Sequence, residues 1–231
     1  MEQQTGIGRK VVVTGGLGSL GRRVGAVLAA RGARVVLMDR APAVSVEGMA
    51  DVLGNVDLAD PASAGAAFER AAQAMGGING LVNVAGGFAW QKFEGGAVQT
   101  WDKLFAMNLR TAVVASQSAL PHLLREADAA IVNVGALASL KAAAGMGAYA
   151  ASKAGVARLT EAMAEEFKDR GLRVNAVLPS ILDTLANRAD MPDADASRWV
   201  TPDALARVIA FLLSADASAV TGACIPVNGR V

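Results

Sequence analysis

The sequence has almost none of the residues that most metal and nucleophilic sites require. Among its 231 residues there is one cysteine, Cys224, and one histidine, His122. A single cysteine excludes an internal disulfide and a cluster of thiolate metal ligands. His122 lies in Pro121-His122-Leu123 near the end of a predicted helix, where we expect a surface position. We therefore expect neither a Ser-His-Asp hydrolase nor a multi-histidine zinc site, and no metal site is predicted.

Long apolar runs and concentrations of charge are also missing. Apolar residues make up 53% of the chain, but no run reaches the roughly 18 residues that a membrane span needs. No basic segment followed by an apolar stretch marks a secretory signal. Lysines and arginines are scattered and the net charge is +1, so no nucleic-acid surface is expected. These absences predict a cytoplasmic protein without a membrane or nucleic-acid partner, in which residues 1–9 form a loose tail.

Strand-like and helix-like segments alternate along the whole chain. This alternation predicts a single α/β domain over residues 1–231, a doubly wound parallel sheet with helices on both faces and right-handed crossovers. The predicted strands are Lys10–Thr14, Arg34–Met38, Val52–Asp57, Gly80–Val84, Ala130–Val134, Leu172–Val177 and Ala223–Val227. The predicted helices are Arg22–Arg31, Asp60 to about Met75, Thr100–Leu124, a run from near Tyr149 to Phe167, and one opened by Thr201-Pro202. Asp60-Pro61 and Thr201-Pro202 combine a capping side chain with a proline at the first helical position.

A glycine-rich turn joins the first predicted strand to the first helix, in Thr14-Gly15-Gly16-Leu17-Gly18-Ser19-Leu20-Gly21. Gly15 and Gly18 permit a tight turn and a close approach of the backbone to a pyrophosphate, and Gly21 lets the helix pack on the strand. The start of the helix offers free N–H groups and the positive end of the helix dipole to phosphates. The turn therefore predicts a dinucleotide-binding site.

The second predicted strand ends at Asp39, which lies 18 residues after Gly21. A carboxylate here can accept hydrogen bonds from the adenosine ribose hydroxyls and repel a 2′-phosphate, which favours NAD(H) over NADP(H). Arg40 follows directly and could soften that preference. A solvated aspartate at a strand end is the alternative interpretation.

Tyr149 and Lys153 are spaced i and i+4 after a start marked by Gly145 and Gly147, so they share one face of a predicted helix. A free phenol ionises near pH ~10. A neighbouring ammonium would stabilise the phenolate and lower that pKa, which would make Tyr149 a usable general acid or base. Taken alone, the pattern fits an ordinary helix with an exposed lysine at least as well.

Two further features give weaker signals. The loop over residues 88–97 contains Phe88, Trp90 and Phe93, three of the chain's ten aromatic residues. It is either a hydrophobic plug or one wall of a pocket for a flat ligand. Asn108 lies inside the predicted helix Thr100–Leu124, where asparagine has poor propensity. Such a residue is usually exposed, although a functional role fits here as well.

Taken together, these motifs resemble the short-chain dehydrogenase/reductase family over nearly the whole chain. The resemblance implies a seven-stranded Rossmann-type fold, a nicotinamide dinucleotide cofactor, a small-molecule substrate, and a homotetramer or homodimer. It implies that Tyr149 exchanges a proton, that Lys153 binds the nicotinamide ribose and lowers the tyrosine pKa, and that Asn108 holds a proton-relay water. The matching residues are Thr14-Gly15…Gly18…Gly21, Asp39, Asp57, Asn83-x-Ala85-Gly86, Asn108, Tyr149-x-x-x-Lys153 and Pro179…Thr184.

Carried over position by position, the resemblance implies two sets of binding residues, with Thr184 contacting the cofactor carboxamide. The implied cofactor-binding residues are Gly15, Leu17, Gly18, Ser19, Leu20, Gly21, Asp39, Arg40, Asp57, Leu58, Asn83, Ala85, Gly86, Val134, Tyr149, Lys153, Pro179, Ile181 and Thr184. The implied substrate-pocket residues are Ala136, Phe88, Trp90, Met146 and Arg188.

One departure from the family is chemically important. Most members carry a catalytic serine thirteen residues before the tyrosine, and this chain has Ala136 at that position. The serine hydroxyl donates to the substrate oxygen that gains charge as hydride arrives, and losing such a donor can cost ~10²–10³ in rate. Ser180, where the family usually has glycine, is a second departure. Neither Ser139 nor Ser152 is assigned the missing role.

The dihydropteridine reductases, a branch of this family, also lack that serine, and the local resemblance to them is close. It covers Gly135-Ala136…Gly145-Met146, Ala85-Gly86-Gly87-Phe88 and the segment from Leu178 to Trp199. The resemblance implies a lid over residues 185–200 and a flat quinonoid substrate that can spread charge.

Three functional hypotheses stay open. The first is an NAD(H)-dependent oxidoreductase that acts on a small planar conjugated substrate, with Tyr149 as proton donor or acceptor. The second is a carbonyl reductase or alcohol dehydrogenase of the 3-oxoacyl or polyol type, in which water or backbone replaces the serine. The third is a dinucleotide-binding protein without turnover, which would not need Tyr149, Lys153 and Asn108 together.

Overall fold

Parallel strands form one sheet in the structure, a computed structural model that describes residues 8–231. In chain order the strands are β1 (Lys10–Thr14), β2 (Arg34–Met38), β3 (Asp51–Leu53), β4 (Gly80–Asn83), β5 (Ala130–Val134), β6 (Arg173–Pro179) and β7 (Cys224–Val227). Their order across the sheet is β3-β2-β1-β4-β5-β6-β7. The chain therefore builds outward from β1 in one direction and from β4 in the other, which confirms the predicted doubly wound fold.

Helices cover both faces of the sheet. Within residues 8–231 they are α1 (Ser19–Ala30), α2 (Pro61–Met75), α3 (Val98–Leu104), α4 (Thr111–Leu123), α5 (Gly147–Phe167), α6 (Leu185–Asp190) and α7 (Pro202–Leu213). On one face Val12 packs with Phe68 of α2 and Ala115 of α4. On the other face Val11 packs with Ile209 of α7. The side chains of neighbouring strand residues therefore pack against the helices on opposite faces of the sheet, as the two-residue period of a strand requires.

The predicted helix starts are confirmed at two places. The side chain of Asp60 accepts hydrogen bonds from the N–H groups of Ala62 and Ser63 at the start of α2. Thr201 accepts one from Ala204 at the start of α7. In both helices a proline occupies the first turn, where its missing N–H removes no helical bond.

Two predicted elements differ from the observed ones. β3 ends at Leu53 and not at Asp57, because the chain turns at Gly54 and Asn55, where Asn55 has a φ of 56°. The predicted helix Thr100–Leu124 is instead α3, a six-residue π-helical stretch over Phe105–Arg110, and α4. A π-helical stretch bonds each N–H to the fifth residue before it, and such stretches often lie at functional sites.

Two residues expected at the surface are held by partners. Arg9, which was assigned to the loose tail, forms an ion pair of 2.5 Å with Asp128. His122 is only 8% exposed, and its Nε2 lies 3.3 Å from Oε1 of Glu69. The surface prediction for His122 is wrong because α4 packs against α2, which carries Glu69. Residues 1–7 of the predicted tail lie outside the described residues.

Residues 8–231 contain no helix that is both long enough and apolar enough to cross a membrane. The same part of the chain contains no group of three or more His, Cys, Asp and Glu side chains placed to hold a metal ion.

Candidate active site

A cleft of about 620 Å³ opens at the carboxyl edge of the sheet, beside the ends of β1 and β4. The strand order reverses between these two strands, and this is where doubly wound sheets bind ligands. The predicted cofactor residues that line the cleft are Gly15, Gly18, Ser19, Leu20, Gly21, Asp39, Arg40, Asp57, Leu58, Ala85 and Gly86.

The cleft also has lining residues that the sequence did not reveal. Lys103, Ala106 and Met107 are spaced i, i+3 and i+4 on the helix after β4, so one helix face borders the cleft. That spacing was the available signal, but nothing in the sequence showed which face of the helix points inward. The unpredicted lining residues are Val56, Ala59, Val84, Lys103, Ala106, Met107 and Thr111.

The glycine turn is packed so closely that a side chain at Gly15 or Gly21 would collide with backbone atoms. A Cβ on Gly21 would lie 2.2 Å from the carbonyl oxygen of Gly15, and a Cβ on Gly15 would lie 2.9 Å from Cα of Ala85. Gly15 also has a φ of +61°, which favours glycine. Gly18 precedes α1 and supplies no side-chain cap, so the first N–H groups of α1 keep their hydrogen-bonding capacity. This donor set fits the pyrophosphate of a dinucleotide.

Asp39 lines the cleft where β2 ends. Its Oδ2 accepts a hydrogen bond of 2.9 Å from the N–H of Leu17, and its Oδ1 accepts one of 3.0 Å from the N–H of Ala41. Each carboxylate oxygen has a further lone pair for a donor in the cleft. The carboxylate is therefore oriented by the glycine turn that would hold the phosphates.

Lys153 and Asn108 lie against Gly86, which lines the cleft, and Asn108 is linked through Ser152 to the backbone of Tyr149. Tyr149 lies in the first turn of α5, as predicted. Lys153 is 5% exposed, and its Nζ donates to the carbonyl of Val134 at 2.7 Å. A Cβ on Gly86 would lie 2.6 Å from Oδ1 of Asn108 and 3.4 Å from Nζ of Lys153. The absence of a side chain at position 86 is what allows these groups to approach one another.

Asn108 lies in the π-helical stretch and is 1% exposed. Its Oδ1 accepts a bond of 2.8 Å from the N–H of Gly87, and its Nδ2 donates to the carbonyl of Gly87 at 3.1 Å. The same Nδ2 donates to Oγ of Ser152 at 2.9 Å, and Ser152 donates to the carbonyl of Tyr149 at 2.7 Å. Ser152 was not among the predicted site residues. Its position three residues after Tyr149 was the signal that could have identified it.

The pKa values of the two central groups do not follow the sequence-based expectation. Burial raises the pKa of Tyr149 to about 12 and lowers the pKa of Lys153 to about 8. Desolvation disfavours the charged form of each group. Burial therefore sets the direction of the Tyr149 pKa shift, opposite to the one expected from a neighbouring lysine. At neutral pH the phenol keeps its proton and the ammonium stays charged.

The predicted substrate residues lie on the loops after β4 and β5, directly before α5, and on α6. Phe88 packs edge-on against the Tyr149 ring, with ring centroids 5.0 Å apart. Phe88, Trp90 and Phe93 are all more than half exposed, so the plug interpretation of their loop is wrong. Ala136 follows β5 and is buried, so this position offers a methyl group and no hydroxyl.

Met146 and Arg188 complete the predicted pocket set. Met146 is the residue directly before α5. Arg188, on α6, donates two hydrogen bonds to Asp183, of 2.5 and 2.9 Å. This pairing lowers the pKa of Asp183 through its hydrogen bonds and charge. The guanidinium therefore already has a carboxylate partner.

Other predicted cofactor residues lie outside the cleft. Asn83 is buried, and its Nδ2 donates to Ser116 and Asn133, so we correct its assignment: its side chain braces β4 against β5. Thr184 caps α6 by accepting from the N–H of Asn187 at 3.2 Å. The backbone N–H of Leu17 donates to Asp39, and the carbonyl of Val134 accepts from Lys153. Pro179 ends β6, and the carbonyl of Ile181 accepts from Val200.

Known proteins resemble this chain over nearly its whole length. A family model described as short chain dehydrogenase matches residues 9–195. The 2-(S)-hydroxypropyl-CoM dehydrogenase 3 of Xanthobacter autotrophicus is 32% identical over 241 residues, which cover 95% of this chain and 94% of that protein. A protein of the same organism named inactive 2-(S)-hydroxypropyl-CoM dehydrogenase 2 is 34% identical, over 86% of this chain and 94% of its own. The crystal structure of a short chain dehydrogenase from Burkholderia cenocepacia in complex with NADP has a TM-score of 0.86 and 31% identity, covering 96% of this chain and 97% of that one.

The glycine turn leads to a prediction about dinucleotide binding. Gly21→Ala places a Cβ against the Gly15 carbonyl and should weaken binding by about tenfold or more, or ~1.4 kcal/mol. Gly65→Ala in α2 is the matched control, since a Cβ there meets nothing within 4 Å, and it should leave binding unchanged. Fluorescence titration with NADH and NADPH measures both variants. Equal affinities for the two variants would show that the turn does not contact the dinucleotide.

Proposed function

Because the chain belongs to the short-chain dehydrogenase family, we propose that it transfers hydride between NAD(H) and a small planar conjugated substrate, with Tyr149 as the proton donor or acceptor. The observation that carries this proposal is that Lys153 and Asn108 lie against Gly86 of the cleft, and that Asn108 is hydrogen-bonded through Ser152 to the turn that carries Tyr149. When bound, the nicotinamide ring supplies or accepts the hydride. The glycine turn would hold the pyrophosphate, Asp39 the adenosine ribose and Lys153 the nicotinamide ribose.

The protonation states support the direction of reduction. Burial raises the pKa of Tyr149 to about 12, so its hydroxyl is a proton donor at neutral pH. A substrate that takes up hydride also needs one proton, and Tyr149 would release it. Lys153, with a pKa lowered to about 8 by burial, would stay charged at neutral pH and stabilise the phenolate that results.

The position of Ala136 supports a substrate that spreads its charge. A simple ketone gathers negative charge on one oxygen as hydride arrives, and a serine at this position would donate to that oxygen. A quinonoid or diimine-like ring distributes the charge and needs that donor less. The Phe88 ring, packed against Tyr149 and more than half exposed, would provide an apolar wall for such a ring.

Closure and assembly form the rest of the proposal. Residues 185–200 would act as the substrate lid. The first half of this segment contains α6, where the Leu185 side chain is 87% exposed. Trp199 and Val200 are buried, and the N–H of Val200 donates to the Ile181 carbonyl at 2.9 Å, so the movable part would end before Trp199. We expect a homodimer or homotetramer, which light scattering would measure.

Two other functions have specific support. A carbonyl reductase or alcohol dehydrogenase of the 3-oxoacyl or polyol type is supported by the relative named for a hydroxypropyl group, which is a simple alcohol. Dinucleotide binding without turnover is supported by the relative named inactive. The presence of Tyr149 together with the buried Lys153 and Asn108 argues against the latter, because a protein that only binds needs no proton donor.

The role of Tyr149 is tested by removing its hydroxyl. Tyr149→Phe should lower kcat by about 10²-fold or more while NADH affinity stays nearly unchanged, since the phenol acts on the proton only. Lys153→Ala should lower both kcat and the affinity for NADH, because the lysine would also bind the nicotinamide ribose. An NADH-oxidation screen with quinonoid dihydropterin, small ketones and 3-oxoacyl thioesters provides the rates. Near-normal kcat for the phenylalanine variant on every substrate would contradict the assignment.

The substrate class is tested at position 136. Ala136→Ser should raise kcat/KM on a small ketone, because it returns a donor to the developing alkoxide. On a quinonoid dihydropterin the same change should give no gain, since an unpaired hydroxyl against a flat ring costs ~1–3 kcal/mol. Steady-state kinetics on both substrates compare the two enzymes. If Ala136→Ser raises kcat/KM equally on both substrates, or raises it on neither, the result would favour the carbonyl reductase and the non-catalytic functions.

Cofactor preference is tested at Asp39. NAD(H) should bind about tenfold more tightly than NADP(H), because the carboxylate repels a 2′-phosphate. Asp39→Asn keeps an oxygen acceptor and removes the charge, so it should reduce the difference in affinity between NAD(H) and NADP(H). Titration of both cofactors against both proteins measures the difference. If the unchanged protein binds NAD(H) and NADP(H) with equal affinity, the predicted preference is wrong, and the protein would resemble the Burkholderia dehydrogenase, whose structure contains NADP.

A further inference from the structure

Aromatic rings from the segment over residues 88–101 press on the start of α5 at alternate positions. A Cβ on Gly145 would lie 2.2 Å from Cε2 of Trp90, and a Cβ on Gly147 would lie 3.2 Å from Cη2 of Trp101. The next alternate residue is Tyr149, which Phe88 contacts edge-on. Glycines at 145 and 147 therefore allow two tryptophans to approach the backbone just before the proposed proton donor.

Trp90 is fixed by hydrogen bonds as well as by packing. Its indole Nε1 donates to the carbonyl of Ala144 at 3.1 Å. The backbone N–H of Gln91 donates to the carbonyl of Gly145 at 2.8 Å. The side chain of Gln91 in turn accepts from Thr100 at 2.7 Å and donates to the Ala97 carbonyl. The indole is therefore held against the turn before α5 by a cross-linked loop.

The start of α5 has no cap of its own. Met146 occupies the capping position and makes no side-chain capping hydrogen bond within the described residues. Helix ends without such a cap fray more readily. Tyr149 lies in this first turn, so any fraying would move its hydroxyl.

We propose that Trp90 is a positioning residue for Tyr149: it clamps the turn at Ala144 and Gly145 and so holds the first turn of α5 in place. The inference rests on the proposed function, because it gives Tyr149 the role of proton donor. It differs from the pocket-wall role that the family resemblance implies for Trp90. Trp90 is 57% exposed, so both roles are sterically open to it, and kinetics separate them.

The first test compares Trp90→Ala, Trp90→Phe and Val98→Ala. Trp90→Ala should lower kcat by about tenfold or more with substrate KM little changed, because a misplaced donor slows the chemical step. Trp90→Phe keeps a ring on Gly145 and should recover most of that loss. Val98 is the matched control: it lies on the same segment and is 65% exposed, so Val98→Ala should leave both constants unchanged. A raised KM with normal kcat in Trp90→Ala, or an equal effect of Val98→Ala, would overturn the inference.

The second test does not depend on turnover. Tyr149 is the only tyrosine of the chain, so tyrosine labelled with a heavy carbon isotope at Cζ gives a single NMR resonance that reports its environment. In the unchanged protein this resonance should be sharp, and its titration should lie near the raised pKa of about 12. In Trp90→Ala it should broaden, and its titration should move toward the ordinary value of ~10. An unaltered resonance would overturn the inference. If the resonance responds but no substrate is turned over, the proposed function fails and the positioning role stands.

A double-mutant cycle tests the contact itself. Gly145→Ala should lower the thermal midpoint strongly when Trp90 is present, because the new Cβ meets the indole. In the Trp90→Ala background the same change should have a smaller effect, leaving the strain of the positive φ at position 145, which is +77°. Coupled residues give non-additive effects in such a cycle. Additive effects would overturn the clamp, and circular dichroism confirms that each variant is folded.

Discussion

The paired hydrogen bonds between the Asn108 carboxamide and the backbone of Gly87 are the contact on which the site depends. They join the loop after β4 to the π-helical stretch, and the third bond, to Ser152, extends the connection into α5. A buried amide with its groups paired is stable, whereas one left unpaired carries the full desolvation penalty. Ser152 also bonds the Tyr149 carbonyl, so the floor of the cleft and the turn that carries Tyr149 form one connected structure.

The parts of this arrangement that depend on local chemistry were predictable from the sequence. The glycine turn, the cap at Asp60 and the i, i+4 pairing of Tyr149 with Lys153 each follow from residues close together in the chain. Gly15 has a positive φ because glycine lacks the side chain that disfavours it in other residues. The Asp60 carboxylate caps α2 because it accepts hydrogen bonds from two free N–H groups at the helix start. The parallel direction of the strands followed from their alternation with helices, because parallel strands require crossovers.

The parts that depend on distant residues could not be predicted. Arg9 pairs with Asp128, and His122 lies beside Glu69. In each pair the two residues are far apart in the chain. The pKa of Tyr149 is governed by how many atoms exclude water from it, which spacing alone does not reveal. For the same reason Asn83 looked like a cofactor residue, although Ser116 and Asn133 bind its amide inside the protein.

The π-helical stretch Phe105–Arg110 makes the number of residues in this helix as important as their identity. A π-helical turn holds one more residue than an α-helical turn, so deleting one residue there would let α3 and α4 merge into a continuous α-helix and would shift the side chains of the stretch itself. The Asn108 carboxamide would then be displaced from Gly87, and Leu109 from Gly155, where a Cβ would lie 2.5 Å from its Cδ2. A substitution changes one side chain, whereas a change of length displaces several neighbouring side chains at once. Among related chains, this stretch should therefore vary in composition far more freely than in length.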